Sequence, residues 1–362
     1  MIITANWLSS QFDKRTLTRL LDNLTTPSHK TTKRVQKLLH LLRGGNNNND
    51  SKYDYIIFHK NCLDGTGALM VADMAGLVST GSFVYADNPD KHQGSPLPPK
   101  IENKRVLALD INWPPSYLKR VIDTCKSIDL IDHHTDGHGE RLKLETLYKA
   151  KFIYTYNETH SACVLTWHTF FPDQPVPKFL EYLQDNDLRS YKIKETSDVI
   201  LGLEVLHNAN LGLDRVHLQQ KVDSWKAYIE KPELIRAKLE ATGKVAAVYK
   251  QQLLEKTSNN WEIVDVKAPS NQVWKVLVSN VGNHIGRFLA PHLKREHSDV
   301  DAVIVWYYDI KLQGIRCTVR SKNDIRWLTT RYGGGGHKHA APFKFKCHSF
   351  YEWLEYHNKN YT

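Results

Sequence analysis

The sequence predicts an α/β protein of two domains behind a helical N-terminal extension, on three observations. From Tyr53 onward, short apolar runs alternate with helix-like stretches, the pattern of a mainly parallel sheet covered on both faces. The first three such runs each end in acidic or histidine residues. A second block of apolar strands follows residue 259. A length of 362 residues accommodates two domains of ordinary size.

Residues 1–43 carry helical periodicity at Leu17, Leu20, Leu21 and Leu24, and again at Val35, Leu38, Leu39 and Leu42. Lys30, Lys33, Arg34, Lys37 and Arg43 make the second half basic, and GGNNNND at 44–50 reads as a flexible linker. The segment is an accessory helical cap or a grip on nucleic acid.

YDYIIFH at 53–59 is the first strand, and GTGALMVADMAG after it is helical. RVLALDI is the second strand, PPSYLKRVIDTC a helix opened by proline, and SIDLIDHH the third strand. These elements place the first domain at 51–210. Residues 211–258 are helical with a break near Pro232, and read as a connector. WEIVDV, VWKVLVSN, AVIVWYYD and GIRCTVRS are strands of the second domain, 259–362, with the helix GNHIGRFLAPHL among them.

Composition narrows the function classes. The apolar fraction is 41% and the charged fraction 24%, as in globular proteins, and no apolar run is long enough to cross a bilayer. The opening MIITANWLSSQFDKRTL lacks the order of a signal peptide. Five scattered cysteines without a Cys-x-x-Cys pair argue against a disulfide framework and for a reducing, cytoplasmic location. A net charge of +10 suits a polyanionic partner such as nucleic acid.

In doubly wound sheets, ligands sit beyond the carboxyl ends of the strands. His59 and Asp64 follow the first strand, Asp110 ends the second, and Asp132, His133 and His134 end the third. Asp185 and Asp187 lie further on, in YLQDNDL; Asp187 either assists Asp185 or pairs with Arg189. Carboxylates packed together repel unless cations compensate. A set of aspartates and imidazoles without thiolate pairs suits Mn²⁺ and similar divalent ions, and Mg²⁺ less well. In RYGGGGHKHAAPF at 331–343, the glycines let the backbone approach an anion, with His337 directly following.

These motifs, in this order, resemble those of the DHH phosphoesterases. IDHH at 131–134 looks like the signature of that family, and GGGGHKHAAPF is similar to the glycine-rich motif of its DHH-associated C-terminal domain. HKNCLDGTGA resembles the first motif of a branch related to nanoRNases, LDINWPP the second and YLQDNDL the fourth, while ETHSACVLTWHTFFP is similar to the stretch before it. The resemblance covers roughly residues 53–345 and implies metal ligands His59, Asp64, Asp110, His133 and Asp185, with Asp110 bridging two ions. It implies that Asp132 orients an imidazole, that His134 faces the substrate phosphate, and that two Mn²⁺ ions (Mg²⁺ or Co²⁺ as alternatives) activate water. Gly333, Gly334, Gly335, Gly336 and His337 would grip a phosphate or terminal nucleotide, and Arg320 resembles an arginine that helps there.

The implied activity is that of a phosphodiesterase on short RNA or DNA oligonucleotides or cyclic dinucleotides, in a cleft between the domains. A homodimer is compatible with it. The alternatives are a processive single-strand 5′–3′ exonuclease of the same superfamily and a nucleotide-binding module with a decayed metal centre. The family's first motif has two aspartates spaced Asp-x-Asp, and here the spacing gives Cys62, Leu63 and Asp64. Cys62 then stands at the first aspartate and becomes a further candidate ligand; the other alignment puts Thr66 at the second. Pro342 replaces a glycine common in the last motif.

Overall fold

The computed structural model describes residues 53–89, 91–207, 215–334 and 338–361. The extension 1–50, the start of the connector at 211–214, and Gly335, Gly336 and His337 of the glycine motif lie outside the described residues. The chain divides into two compact units between Ala246 and Ala247, within a helix.

The first unit holds a five-stranded parallel sheet. Strands β1 (Tyr55–His59), β2 (Phe83–Asp87), β3 (Arg105–Leu109), β4 (Ser127–Asp132) and β5 (Phe152–Tyr156) lie in the order β2-β1-β3-β4-β5. Helix α1 (Leu63–Met74) follows β1, α2 (Pro115–Thr124) follows β3 and α3 (His138–Tyr148) follows β4. After β5 come α4 (Ala162–Phe170), α5 (Lys178–Asp187), α6 (Thr196–Leu206) and α7 (Arg215–Glu230). The strands β2 and β5, in SFVYAD and FIYTY, are additions to the three strands that the apolar runs marked.

Alternation along each strand sends side chains to two cores. Ile56, Phe58, Leu107, Leu109 and Ile131 pack with Leu69, Val164, Phe179, Leu183 and Trp225 from the helices on one face. Tyr55, Ile57, Val106, Ala108 and Leu130 pack with Trp113, Tyr117, Leu118 and Val121 on the other. The chain turns back on itself between β1 and β3, which are neighbours, so the carboxyl ends of these two strands form the topological switch point. Close packing holds α1 on β1: a Cβ on Gly65 would come within 2.8 Å of the His59 Cβ and carbonyl oxygen.

The second unit begins in α8 (Ala241–Thr257). Its strands are β6 (Glu262–Ala268), β7 (Gln272–Asn280), β8 (Ala302–Asp309), β9 (Gly314–Ser321) and β10 (Ala340–Phe345), ordered β10-β9-β8-β7-β6. Of these neighbours, β7 and β8 pair in parallel and the others antiparallel. Helix α9 (Asn283–Glu296) covers one face through Ile285, Leu289 and Leu293. On the other face the core contains Ile325 and Leu328, which flank the start of α10 (Arg326–Arg331), and Phe350 and Trp353 of α11 (Phe350–Asn360). Pro342 lies on the edge strand β10, where a missing backbone N–H is tolerated.

Candidate metal centre

The carboxyl ends of β1, β3 and β4 deliver the functional side chains as the alternation requires. His59 is the last residue of β1, and its Nδ1 stands 3.1 Å from Asp110 Oδ2. Asp110 follows β3 directly with a left-handed backbone, φ 58°, which bends the chain away from the sheet just where its carboxylate enters the centre. Its N–H still donates to the Ile131 carbonyl, 3.0 Å away, so the turn stays anchored to β4.

Asp64 lies in the first turn of α1 and is 1% exposed. Its carboxylate caps a second helix: the backbone N–H groups of Ala162 and Cys163, at the start of α4, donate to it at 2.6 and 2.9 Å. The partial positive charge of that helix end stabilises a carboxylate that would otherwise be costly to bury. His133, directly after β4, places Nε2 3.5 Å from Asp110 Oδ1, 3.8 Å from Asp64 Oδ2 and 3.3 Å from Asp187 Oδ2.

Among the described residues, three sets bring ligand atoms within 4.8 Å of one another: His59, Cys62 and Asp110; Asp110, His133 and His134; and Asp64, His133 and Asp187. Asp110 belongs to two of them. The structure thus gathers His59, Cys62, Asp64, Asp110, His133 and His134 at the switch point, with Asp132 beneath them.

Asp185 is elsewhere. It is buried at the end of α5, where it accepts hydrogen bonds from Lys192 N at 2.8 Å, Ile193 N at 3.1 Å and the hydroxyls of Ser190 and Thr196. Both carboxylate oxygens organise the loop into α6. The acidic group beside His133 is Asp187, whose buried Oδ2 lies 3.3 Å from His133 Nε2 and has no hydrogen-bond partner among the described residues. Residues i and i+2 on a helix are about 200° apart around its axis, so only one of the pair can face the strand ends. The i, i+2 spacing itself carried the signal that Asp185 and Asp187 have different surroundings, but not which of them faces the centre.

Asp132 and His134 form a supported pair. Asp132 Oδ1 lies 2.7 Å from His134 Nδ1, and Asp132 Oδ2 lies 3.7 Å from the guanidinium of Arg141. Arg141, on α3, is 1% exposed and unites the loops that follow β3 and β4. It donates to the carbonyls of Asp136 at 2.8 Å and Trp113 at 3.2 Å and to the Asn112 side chain. No motif pointed to it.

The electrostatics of the centre are those of crowded acids held by imidazoles. Burial, then the neighbouring Asp110, push the Asp64 carboxyl up. Burial works in the same direction on Asp110, but hydrogen bonds with His133 and His59 outweigh it and hold Asp110 well below the usual carboxylate range. Burial and the charges of Asp64 and Asp110 push Asp187 up to about 7. Burial pulls His133 down, yet Asp110, Asp64 and Asp187 together raise it to about 9. Protons are therefore held where acids and imidazoles normally release them at neutral pH. A divalent cation held by the same atoms would displace these protons and relieve the same repulsion, and the mixed carboxylate–imidazole donor set suits such an ion.

Of the glycine motif in the second unit, Gly333 and Gly334 lie among the described residues. Gly333 has φ +66° and its N–H donates to Thr330 O, closing the end of α10; the Gly334 N–H donates to Thr329 O at 2.8 Å. These two amides serve their own turn instead of facing an anion. A Cβ on Gly334 would meet the Pro342 carbonyl, so its glycine identity follows from close packing against β10. Arg320, on β9, pairs in register with Ala340 and donates to the Val319 carbonyl at 2.9 Å.

The first unit thus joins a parallel sheet to an acid–imidazole cluster at its switch point, formed by the residues of the motifs whose order resembles that of the DHH phosphoesterases. No protein-family profile matches the chain. The uncharacterized protein R106 of Acanthamoeba polyphaga mimivirus is 26% identical over 315 residues, spanning 82% of this chain and 68% of its own. Among solved structures, the chain is similar to the pGpG-specific phosphodiesterase PggH of Vibrio cholerae, with 12% identity, 84% of this chain and 97% of that one covered, and a TM-score of 0.49. It is also similar to an exopolyphosphatase-related protein of Bacteroides fragilis (15% identity, 85% and 91% covered, TM-score 0.46). RecJ of Thermus thermophilus in complex with Mn²⁺ has 15% identity, with 94% of this chain but 55% of RecJ covered, and a TM-score of 0.47. No helix among the described residues is long and apolar enough to cross a membrane.

Proposed function

We propose that the protein is a divalent-metal-dependent phosphodiesterase, acting on short oligonucleotides or cyclic dinucleotides and using manganese in preference to magnesium. The observation that carries this reading is the convergence of Asp64, Asp110, His133 and Asp187 with His59 and Cys62 at the carboxyl ends of parallel strands. Asp64, Asp110, His133 and Asp187 would hold one ion, and His59, Cys62 and Asp110 a second, with Asp110 common to both. When bound, such a pair of ions supplies Lewis acidity toward phosphoryl oxygens and the means to activate water at neutral pH.

The chain's own residues supply the rest. Helix α4 and the turn at Asp110 fix two carboxylates in place before any ligand arrives. Asp132 engages Nδ1 of His134, which leaves Nε2 as the atom to donate a proton or hydrogen bond to a phosphoryl or leaving oxygen. Burial pulls the His134 imidazole down, but the hydrogen bond with Asp132 outweighs it and raises it, which favours the donor form. In the second unit His337, Gly335 and Gly336 would grip a terminal phosphate, with Arg320 as a further candidate for that role.

A grip on a terminal phosphate favours short substrates. The test is a hydrolysis series with Mn²⁺ over linear dinucleotides, longer RNA and DNA strands, and cyclic dinucleotides. The proposal expects kcat/KM to be highest for dinucleotides to pentanucleotides and to fall with length. Steady or rising kcat/KM on long strands, with processive product ladders, would favour the single-strand exonuclease instead, in keeping with the +10 charge.

A further inference from the structure

The five cysteines do not share one environment. Cys163, Cys125, Cys317 and Cys347 are each buried within an apolar core. Cys62 belongs to none of these cores and is half-buried beside His59 and Asp110. It occupies the N-cap position of α1, where serine, threonine, aspartate or asparagine would serve better, and its side chain makes no capping hydrogen bond. Core packing does not account for a thiol at this place, and as a helix cap a thiol is weaker than an oxygen side chain.

We infer that the centre is chemically asymmetric, with His59, Cys62 and Asp110 forming a thiolate-bearing pocket that takes Zn²⁺ or Co²⁺ in preference to Mn²⁺ or Mg²⁺. The inference rests on the metal-centre reading above and deepens it. Asp64, Asp110, His133 and Asp187 offer three carboxylates and an imidazole, a hard donor set suited to manganese. One sulfur, one imidazole nitrogen and one carboxylate oxygen form a softer set, which follows zinc chemistry. Three protein ligands are also the number found in catalytic zinc sites, where the fourth position stays open to water or substrate. The geometry is near that of a tetrahedral ion, whose ligand atoms lie about 3.5 Å apart. His59 Nδ1 and Asp110 Oδ2 are already 3.1 Å apart, and the three ligand atoms fall within 4.8 Å. Asp110 belongs to both sets, so the two pockets would be linked through it.

The test is a titration of the metal-stripped full chain with Co²⁺, read by absorption and by metal content after gel filtration. The expected result is two equivalents bound, one of them with a sulfur-to-cobalt charge-transfer band. One equivalent of Zn²⁺ should erase that band, and a tenfold excess of Mn²⁺ should not. Cys62→Ser should lose the band and bind one tight Zn²⁺ instead of two. Asp187→Asn should keep the band, because it alters only the harder pocket. Two equivalents of Co²⁺ without a charge-transfer band, or a band that survives Cys62→Ser, would overturn the asymmetry while leaving the metal centre standing. Failure to bind any Co²⁺ would instead overturn the metal-centre reading itself.

Discussion

Raising the pH from 6 to 8 in the presence of a chelator is expected to destabilise the fold, because the metal-free centre holds protons that the unfolded chain releases. Asp187 is raised by burial, Asp64 and Asp110 from 3.8 to about 7, and His133 is raised against burial by Asp110, Asp64 and Asp187 from 6.5 to about 9. A group raised in the folded state stabilises fully below its unfolded value and ceases to do so above its folded one. His133 thus contributes in full below pH 6.5 and nothing above about 9; Asp187 contributes in full below about 4 and nothing above about 7. Between pH 6 and 8 the folded state then carries about one proton more than the unfolded chain. Stability falls by ~1.4 kcal/mol per pH unit, or roughly 3 kcal/mol across the interval. On the proposed function, divalent metal would take the place of those protons, so the stabilisation it confers should grow by a similar amount over the same interval. Thermal unfolding followed by circular dichroism at pH 6, 7 and 8, with chelator and with saturating Mn²⁺, reads this directly. The gap in Tm between the two should widen by roughly 6–12 °C, taking 2–4 °C per kcal/mol for a unit of this size. A gap that stays constant or narrows as pH rises would show that the centre holds no such protons.

The two acids of YLQDNDL should separate cleanly. Asp187→Asn is expected to weaken metal binding at least tenfold by calorimetry while leaving chelated stability equal or higher, since it removes a repelled acid; Asp185→Ala should cost about 2–4 kcal/mol in urea unfolding because four hydrogen bonds lose their acceptor. Arg141→Met should lower kcat on a dinucleotide about 10–100-fold with little change in KM and shift the acid limb of the pH profile, with partial recovery in Arg141→Lys; equal loss in both variants with an unchanged profile would make Arg141 merely structural. Gly65→Ala forces a Cβ against His59, and metal content should fall below that of the wild type even where the variant folds.

Much of this was legible in the sequence, for identifiable reasons. RVLALDI and SIDLIDHH are apolar because β3 and β4 are buried on both faces, and their polar ends mark where the strands leave the core. Residue order therefore placed His59, Asp110, His133 and His134 at one end of one sheet. Strands β2 and β5 were harder to read. Phe83 is exposed at the sheet edge, and FIYTY is short and mixed in polarity, so neither has the continuous apolar run of a central strand. Which of Asp185 and Asp187 stands beside His133 depends on the rotation of α5 about its axis, which follows from packing of Phe179, Leu180 and Leu183 and not from spacing alone. The role of Arg141 depended on loops 112–113 and 134–136 meeting in space, a contact between distant segments. Likewise the glycine run signalled a close backbone approach, but Gly333 and Gly334 meet their own helix end and β10.

On the proposed function, the cluster at the switch point would be a divalent-metal centre that hydrolyses phosphodiesters, with Asp110 common to both ions. Its most direct test compares the wild type with Asp110→Asn, measuring Mn²⁺ stoichiometry by calorimetry and dinucleotide hydrolysis on the same samples, with chelator as the control. The account predicts two bound ions and metal-dependent hydrolysis in the wild type, no hydrolysis with chelator, and in Asp110→Asn a stoichiometry below two with a loss of rate on the order of 100-fold or more. Hydrolysis that persists in chelator, or an Asp110→Asn variant that keeps both its ions and its full rate, would contradict it.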